Sequence, residues 1–285
     1  MAGSPLLVDW MADPVLDIGE CRVWVLSDGL LTDDGGAVFG RVPKSIWSTL
    51  VPSRDNQIEL AIFGYLIESG RELILVDTGC GTKEGLDPEL QRPRGDLLDS
   101  MARAGFNPEQ ITMVVNTHLH TDHAGGNTRR HHRSIIPTFP NATYCVQERE
   151  WESACAPHPL HADLYHALDF EPLQASRNLR LLSGNSQLTE AVECRQYPGH
   201  TPGHQIVVIS SGMERGAILG DLATVRWQLA DPMWTCPYDL LPATNVDSKR
   251  EVLEWLNANG SSVVAFGHDW PLSWPTLTKE VGHRA

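Results

Sequence analysis

Four side chains of the metal-binding type fall within six residues, in the segment His118-x-His120-x-Asp122-His123. The apolar, β-branched run 111–116 comes directly before them and predicts a buried strand that leads into this segment. In a loop after a strand, His118 and His120 can serve one metal ion while Asp122 and His123 serve a second. Imidazole and carboxylate donors favour Zn²⁺, and Mn²⁺, Co²⁺ or Fe²⁺ can take the same ligands.

Three later segments each supply one more candidate ligand where a strand meets a loop. They contain Gly199-His200, Gly220-Asp221 and Gly267-His268. The glycine beside each ligand lets the backbone approach closely at that point. Together with the first segment, they predict a centre for two divalent ions.

The elements that must position these segments come in two batches of strands, each followed by helical segments. Strands are predicted at 21–27, 61–68, 72–76, 111–116, 143–146, 179–182, 191–197, 205–210, 217–219 and 262–266, and helices at 96–104, 147–154 and 248–259. Ser248 and Glu251 predict a capping box at the start of the last helix. This order predicts one domain over residues 1–285, with its core at 20–275 and two sheets packed face to face between helices.

Two stretches lack a clear periodicity. Residues 30–58 are rich in Gly, Pro and Ser and predict a long loop, which is either a lid over the site or a packed surface excursion. Residues 149–178 predict an irregular insertion, because they contain Pro157, Pro159 and Pro172 together with several histidines.

The composition excludes several classes of protein. The chain has 285 residues, a formal charge of −14, and 41% hydrophobic and 20% charged residues, which is a globular balance without the excess of Lys and Arg that nucleic acid or an anionic membrane surface requires. No apolar run is long enough to cross a bilayer, and residues 1–20 hold no Lys or Arg, so we expect no secretory signal and a cytoplasmic location. Six scattered cysteines predict reduced thiols.

The order of motifs, HxHxDH at 118–123, GHTPGH at 199–204, GD at 220–221 and GH at 267–268, resembles the metallo-β-lactamase superfamily. The resemblance implies a four-layer αββα sandwich of the α+β type, with the metals at one edge of the sheets. It implies that one ion binds His118, His120 and His200, that the other binds Asp122, His123 and His268, and that Asp221 bridges both. Asp77, in the segment DTG, resembles the family aspartate that orients the ligand loops, and Thr117 and His204 are further candidates for that role.

The chemistry expected of such a centre is hydrolysis. Two ions roughly 3.5–4 Å apart can lower the pKa of a shared water to about 7, which supplies a bridging hydroxide for attack on a carbonyl or phosphorus. Asp122 is the catalytic candidate, because it can orient that hydroxide or pass a proton to the leaving group.

Within the superfamily, the chain resembles the lactonases and methyl parathion hydrolase. The bridging position is Asp221, where the common zinc β-lactamases carry a cysteine, and the stretch 222–225 lacks the tyrosine usual in homoserine-lactone lactonases. The resemblance therefore implies an ester and lactone hydrolase with promiscuous phosphotriesterase activity. Two alternatives stay open: a mononuclear iron persulfide dioxygenase that uses only His118, His120 and His200, and a non-enzymatic scaffold.

The substrate is expected to be an apolar, uncharged small molecule. Aromatic side chains in the loops predict an apolar pocket, and the candidates are Phe39, Trp47, Trp227, Trp234 and Trp270. The remaining histidines are expected to be solvated or locally hydrogen-bonded, and none of them to bind metal: His131, His132, His158, His161, His166 and His283. A homodimer is expected from the family, and no nucleic acid or membrane partner is.

Overall fold

The computed structural model describes residues 16–83, 97–259 and 262–269. The strands are β1 (Leu16–Ile18), β2 (Cys21–Asp34), β3 (Gln57–Ser69), β4 (Glu72–Val76), β5 (Met113–Val115), β6 (Thr128–His131), β7 (Ser134–Pro137), β8 (Thr143–Gln147), β9 (Leu179–Leu182), β10 (Ser186–Gln187), β11 (Val192–Gln196), β12 (Gln205–Ser211), β13 (Glu214–Ile218) and β14 (Ser262–Ala265). The helices are α1 (Gly35–Phe39), α2 (Lys44–Trp47), α3 (Leu97–Arg103), α4 (Thr121–Ala124), α5 (Glu148–Cys155), α6 (Ala167–Ser176), α7 (Arg226–Ala230) and α8 (Pro242–Ala258), with short 3₁₀ turns at Pro108–Gln110, Gly125–Asn127 and Gly220–Ala223.

Two sheets form the centre of the molecule. The first has the strand order β1-β2-β3-β4-β5-β8-β9 and the second the order β10-β11-β12-β13-β14, while β6 and β7 form a separate hairpin. β3 and β4 pair antiparallel with Ser69 opposite Glu72, as the predicted hairpin requires. β4, β5, β8 and β9 then run parallel, so their carboxyl ends meet at one edge of the first sheet.

Alternating side chains explain why the sheets pack face to face. On β2, Val23 and Val25 point into the core between the sheets, and Trp24 and Leu26 point to the other face, where they contact helix α3. On β12, Val207 faces the inter-sheet core, and its neighbours on the opposite face pack against α8. The result is the predicted order of layers, helix, sheet, sheet, helix, in one domain.

The predicted loop at 30–58 is corrected by the structure. β2 continues to Asp34, α1 and α2 follow, and β3 begins at Gln57, so most of the stretch is regular structure. The glycines and serines that suggested a loop sit at short helices instead, and the Asp34 side chain caps α1 by accepting from the backbone N–H of Gly36 at 2.7 Å. Phe39 and Trp47 stack at 5.4 Å in a small core beneath these helices.

Two other local predictions need correction. Helix α8 begins at Pro242 rather than Ser248, and the Ser248 hydroxyl donates to the carbonyl of Pro198 at 2.6 Å instead of capping the helix. In the predicted irregular insertion at 149–178, α6 forms despite Pro172, and Arg177 ends it with a left-handed conformation. None of the helices in the described part of the chain is long and apolar enough to span a membrane.

Candidate metal centre

The candidate ligands converge because strand ends meet at one edge of the sandwich. β5 leads through Thr117 into the segment of His118 and His120, and β4 leads to Asp77 beside it. In the second sheet β13 and β14 are parallel neighbours, so Asp221 and His268, which follow them, come out side by side. Gly220 permits this approach, because a Cβ on it would collide with the Thr117 side chain.

Three imidazoles form the first group of candidate ligands. His118 Nε2 and His200 Nε2 each lie 3.1 Å from His120 Nδ1, and all three side chains are buried. Donors on one tetrahedral zinc ion stand about 3.3 Å apart when each metal–nitrogen bond is about 2.0 Å. We call these residues the three-histidine group.

The second group, which we call the mixed group, contains Asp122, His123 and His268. His123 Nε2 and His268 Nε2 lie 3.0 Å apart. Asp122 Oδ2 lies 3.4 Å from His268 Nε2 and 3.9 Å from His123 Nε2. The three donor atoms converge on one point, as those of the first group do.

Asp221 lies between the two groups and faces both. Its Oδ1 lies 3.5 Å from His123 Nε2 and 3.4 Å from His268 Nε2, and its Oδ2 lies 3.6 Å from His200 Nε2. Burial alone would raise the pKa of this carboxyl, but His268 and His123 hold it well below its usual range. Asp221 is therefore a carboxylate with one oxygen toward each group.

The residues fit a pair of divalent ions. Burial, reinforced by neighbouring imidazoles, lowers the pKa of His118 and His120 well below its ordinary value, so both rings are neutral and have a lone pair for a metal. Asp221 Oδ1 is buried without a hydrogen-bond partner in the described ranges. A set of five imidazoles and two carboxylates matches the donors that Zn²⁺ prefers.

Most of the ligand histidines are oriented by a bond to the nitrogen that faces away from the group. His123 Nδ1 donates to Asp77 Oδ2 at 2.9 Å, and the same carboxylate accepts from the backbone N–H and the hydroxyl of Thr117, both at 2.7 Å. The Thr117 hydroxyl in turn lies 3.1 Å from His118 Nδ1. Asp77 thus contacts a ligand of the mixed group, and Thr117 contacts a ligand of the three-histidine group.

Two carboxylates at the site were missed by sequence reasoning. Asp239 Oδ1 accepts from His200 Nδ1 at 3.1 Å, and Glu150 is a fully buried residue on α5. Neither lies in a motif, and both reach the site only through contacts between distant segments. One glycine in the His200 loop is related to Glu150. A Cβ on Gly203 would collide with the backbone of Glu150, so this position needs a glycine for the two segments to approach each other.

Glu150 joins the two loops of the three-histidine group. Its Oε1 accepts from the backbone N–H of Leu119 at 2.9 Å and from the Tyr165 hydroxyl at 3.0 Å. Its Oε2 accepts from the Thr201 hydroxyl, next to His200. One carboxylate therefore ties the His118–His120 segment to the His200 loop.

The other histidines differ in burial. His131, His132 and His158 are exposed, as expected, His166 is half-buried with no hydrogen-bond partner for Nδ1 among the described residues, and His283 lies outside the described residues. His204 and His161 are buried, and the ring nitrogens of both lack a hydrogen-bond partner among the described residues. For His161 this corrects the expectation of a solvated or locally bonded ring.

A cavity of about 290 Å³ opens over the two groups. Its apolar wall includes Leu31, Val38, Leu60 and Leu164, and its polar residues other than the candidate ligands include Asp33, Asp163 and Tyr238. The Tyr238 hydroxyl donates to Asp33 Oδ2 at 3.1 Å.

The aromatic candidates for the pocket lie elsewhere. Phe39 and Trp47 are buried in the core under α1 and α2, and Trp227 and Trp234 pack against that core. None of these four lines the cavity. They lie behind the cavity wall and pack in the same small core as Val38, because the short helices and the segment that carry them turn these rings inward. Trp270 lies outside the described residues.

Comparisons of sequence agree with this site. The sequence profile of the metallo-beta-lactamase superfamily matches residues 59–268. An N-acyl homoserine lactonase from a Bacillus species is 27% identical over an alignment of 241 residues, which covers 79% of this chain and 87% of that protein. The N-acyl homoserine lactonase AttM of Azorhizobium caulinodans is 26% identical over 252 residues, with coverage of 79% and 88%.

Solved structures share the fold. A probable metal-dependent hydrolase from Staphylococcus aureus superimposes with a TM-score of 0.82 at 26% identity, over 89% of this chain and 91% of that one. AidC, a dizinc quorum-quenching lactonase solved with its product N-hexanoyl-L-homoserine, has a TM-score of 0.74 at 26% identity, over 91% and 94%. The matched profile spans most of the chain and every residue of the two ligand groups, so this protein belongs to the metallo-β-lactamase superfamily.

Proposed function

We propose that the protein is a two-metal hydrolase that opens lactones. N-acyl homoserine lactones are the substrates that we propose to test first. The observation that carries this proposal is the pair of complete ligand groups joined by Asp221 at the floor of an apolar cavity. Relatives named as N-acyl homoserine lactonases, and a dizinc lactonase with the same fold, support it.

The proposal assigns one ion to the three-histidine group, one to the mixed group, and Asp221 to both. Zn²⁺ fits these donors best, and Mn²⁺, Co²⁺ or Fe²⁺ are the alternatives. When bound, the two ions would supply an activated water and polarise the carbonyl oxygen of the substrate.

Asp122 is the residue proposed to move the proton. Its side chain is 32% exposed, whereas those of its partners His123 and His268 are buried, and it lines the cavity. The Asp122 carboxylate can accept a proton from the attacking water and return it to the alkoxide that leaves when the ring opens.

The cavity favours an uncharged substrate. Its leucine and valine side chains suit an acyl chain, while the carboxylates of Asp33 and Asp163 repel an anion. Ring opening produces a carboxylate, so the same two side chains favour release of the product. A neutral aryl phosphotriester meets the same requirements and is the proposed promiscuous substrate.

The alternative of a mononuclear iron persulfide dioxygenase is not favoured. Such an enzyme would need only the three-histidine group, yet Asp122, His123 and His268 also converge as a second group of potential ligands. The cytoplasmic location and the homodimer remain predictions.

The test combines metal analysis with a substrate panel. Protein purified without chelator is expected to hold about two zinc-type ions per chain and to release acid from N-hexanoyl homoserine lactone, with the activity lost on chelation and restored by Zn²⁺. An aryl ester, a simple lactone and an aryl phosphotriester are assayed in parallel, with oxygen uptake on a persulfide as the control for the dioxygenase. One iron per chain and an inert panel would overturn the proposal.

A further inference from the structure

One ligand histidine differs from the other four in the partner of its outer nitrogen, the nitrogen that faces away from the ligand group. Four outer nitrogens have an acceptor within hydrogen-bond distance: His118 with Thr117, His123 with Asp77, His200 with Asp239, and His268 with the Ala61 carbonyl. The outer nitrogen of His120 is Nε2, which is buried without such a partner in the described part of the chain. A metal-ligating histidine normally donates this N–H to an acceptor, which sets its tautomer and orientation.

Two rings from the segment 156–166 lie against His120. The Tyr165 ring is 4.7 Å away at an angle of 67°, and the His161 ring is 5.3 Å away at 74°. The Tyr165 hydroxyl already donates to Glu150 at 3.0 Å. His161 is 2% exposed, and neither of its nitrogens has a hydrogen-bond partner among the described residues.

His120 and His161 are adjacent, and each has a buried ring nitrogen that needs a hydrogen-bond partner. Buried polar atoms in native proteins are nearly always hydrogen-bonded, so two adjacent imidazoles with unpartnered nitrogens call for a connection between them. At a centroid distance of 5.3 Å, a nitrogen of each ring would lie about 3 Å from the other once both rings are turned so that these atoms face each other, and this is the length of an N–H···N hydrogen bond.

The backbone holds His161 at this place. The His161 N–H donates to the His158 carbonyl at 2.8 Å, and the His161 carbonyl accepts from Leu164 at 3.0 Å. The Leu164 carbonyl in turn accepts from the Thr121 N–H at 2.9 Å, one residue from His120. The turn that carries His161 is therefore attached to the ligand segment itself.

We propose that His161 is a positioning residue of the metal centre, whose imidazole accepts the hydrogen bond of His120 Nε2, directly or across one buried water. The bond leaves the lone pair of His120 Nδ1 directed at the ion shared with His118 and His200. The other nitrogen of His161 then carries its proton. The inference rests on the metal assignment of the proposed function but not on its substrate.

The first experiment measures metal affinity without any substrate, by competition with a chromophoric chelator. In His161→Phe, which keeps a ring but has no acceptor, one of the two zinc dissociation constants is expected to rise about 10–100-fold while the other changes little. His161→Gln, which restores an acceptor, should recover most of the loss, and the exposed control His131→Ala should match the wild type. Wild-type affinity for both ions in a folded His161→Phe protein would overturn the proposal.

The second experiment needs no variant and so does not depend on how His161→Phe folds. In the zinc-loaded wild type with ¹⁵N-labelled histidine, NMR is expected to detect a slowly exchanging Nε2–H on His120 close to the His161 ring. Fast exchange of that proton with solvent would overturn the proposal. If the wild type binds two ions tightly yet opens no lactone, the proposed function fails and the role of His161 stands.

Discussion

Histidines of the same centre stand in opposite electrostatic settings: two members of the three-histidine group differ from His200 of that group and from His123 of the mixed group, whose pKa values are raised by nearby carboxylates. Burial and the surrounding imidazoles lower the pKa of His118 and His120 well below its ordinary value. Burial alone would also lower the pKa of His123, but Asp122 and Asp221 raise it well above its ordinary value. The difference teaches that nearby carboxylates, and not burial, decide the charge of a histidine in this centre.

The groups also differ in how they are anchored. His123 and His268 are held by Asp77 and by the Ala61 carbonyl, which belong to or directly follow strands of the first sheet. His200 is held by Asp239 from the loop before α8, and His120 by the proposed contact with His161. The two histidines of the mixed group are thus anchored on the first sheet, whereas in the three-histidine group only His118, held by Thr117 after β5, has such an anchor and the other two histidines depend on segments outside the sheet.

The largest effect should come from the residue that the groups share. Asp221→Asn removes the charge that faces both groups, so we expect both ions to bind more weakly and lactone hydrolysis to fall by more than the roughly 100-fold typical of losing an outer hydrogen-bond partner. Metal content and kcat/KM measure this, with the exposed Asp247→Asn as the matched control. Weaker binding of only one of the two ions would mean that Asp221 belongs to a single group.

The next effect compares the two anchoring carboxylates. Asp77→Asn disturbs the bonds to His123 and Thr117, and Asn tolerates the left-handed φ of 56° at this position, so a loss of metal affinity of about 10–100-fold is expected without a strained backbone. Asp239→Asn disturbs the bond to one ligand histidine, His200, together with contacts to Cys236 and Asn245, and its effect on metal affinity should fall at the low end of that range. Chelator competition ranks the two variants, and a reversed order would contradict the sheet-anchored role of the mixed group.

A smaller effect tests the tie between the two loops of the three-histidine group. In Glu150→Gln, an amide NH₂ group takes the place of one carboxylate oxygen. Because an NH₂ group cannot accept the hydrogen bond of the buried donor that faces it, the free energy of unfolding should drop by about 1–3 kcal/mol. Because the Leu119 and Thr201 contacts loosen, kcat should fall while KM changes little. Urea unfolding of the metal-free protein and steady-state kinetics check both, against the exposed Glu152→Gln. A rise in KM alone would point to a role in binding substrate.

The last effect, on stability alone and not on the metal ligands, concerns a buried cation behind Asp239. Burial lowers the pKa of Lys249 from 10.5 to about 8, and its ammonium donates to the Trp234 carbonyl at 2.6 Å. Between those pH values the unfolded chain binds more protons than the folded one, so this residue makes the free energy of unfolding increase as pH rises.

Lys249→Met should therefore gain stability relative to the wild type at pH 7 and lose that advantage toward pH 10. Urea unfolding of the metal-free proteins at several pH values measures the difference, with the exposed Lys44→Met as the control. A difference that does not depend on pH would contradict the lowered pKa.

The sequence alone determined the chemistry of the centre and the layers that carry it. Its histidines and aspartates follow strands directly, and the two-residue period of the strand predicted at 21–27 puts Val23 and Val25 on one face and Trp24 and Leu26 on the other, as the structure shows. Such signals are local, because strand periodicity and ligand spacing are properties of a few adjacent residues.

Only the tertiary structure decided which side chains surround the ligands. Asp239 meets His200 across 39 residues and Glu150 meets Thr201 across 51, and no motif marks either pair. Phe39 and Trp47 are pocket candidates in the sequence, yet they are core residues, because α1 and α2 turn these apolar rings away from the cavity and stack them on each other. A buried polar atom must find its partner wherever the fold provides one, so the contacts of Asp239, Glu150 and His161 appear only once the two sheets and their loops are assembled.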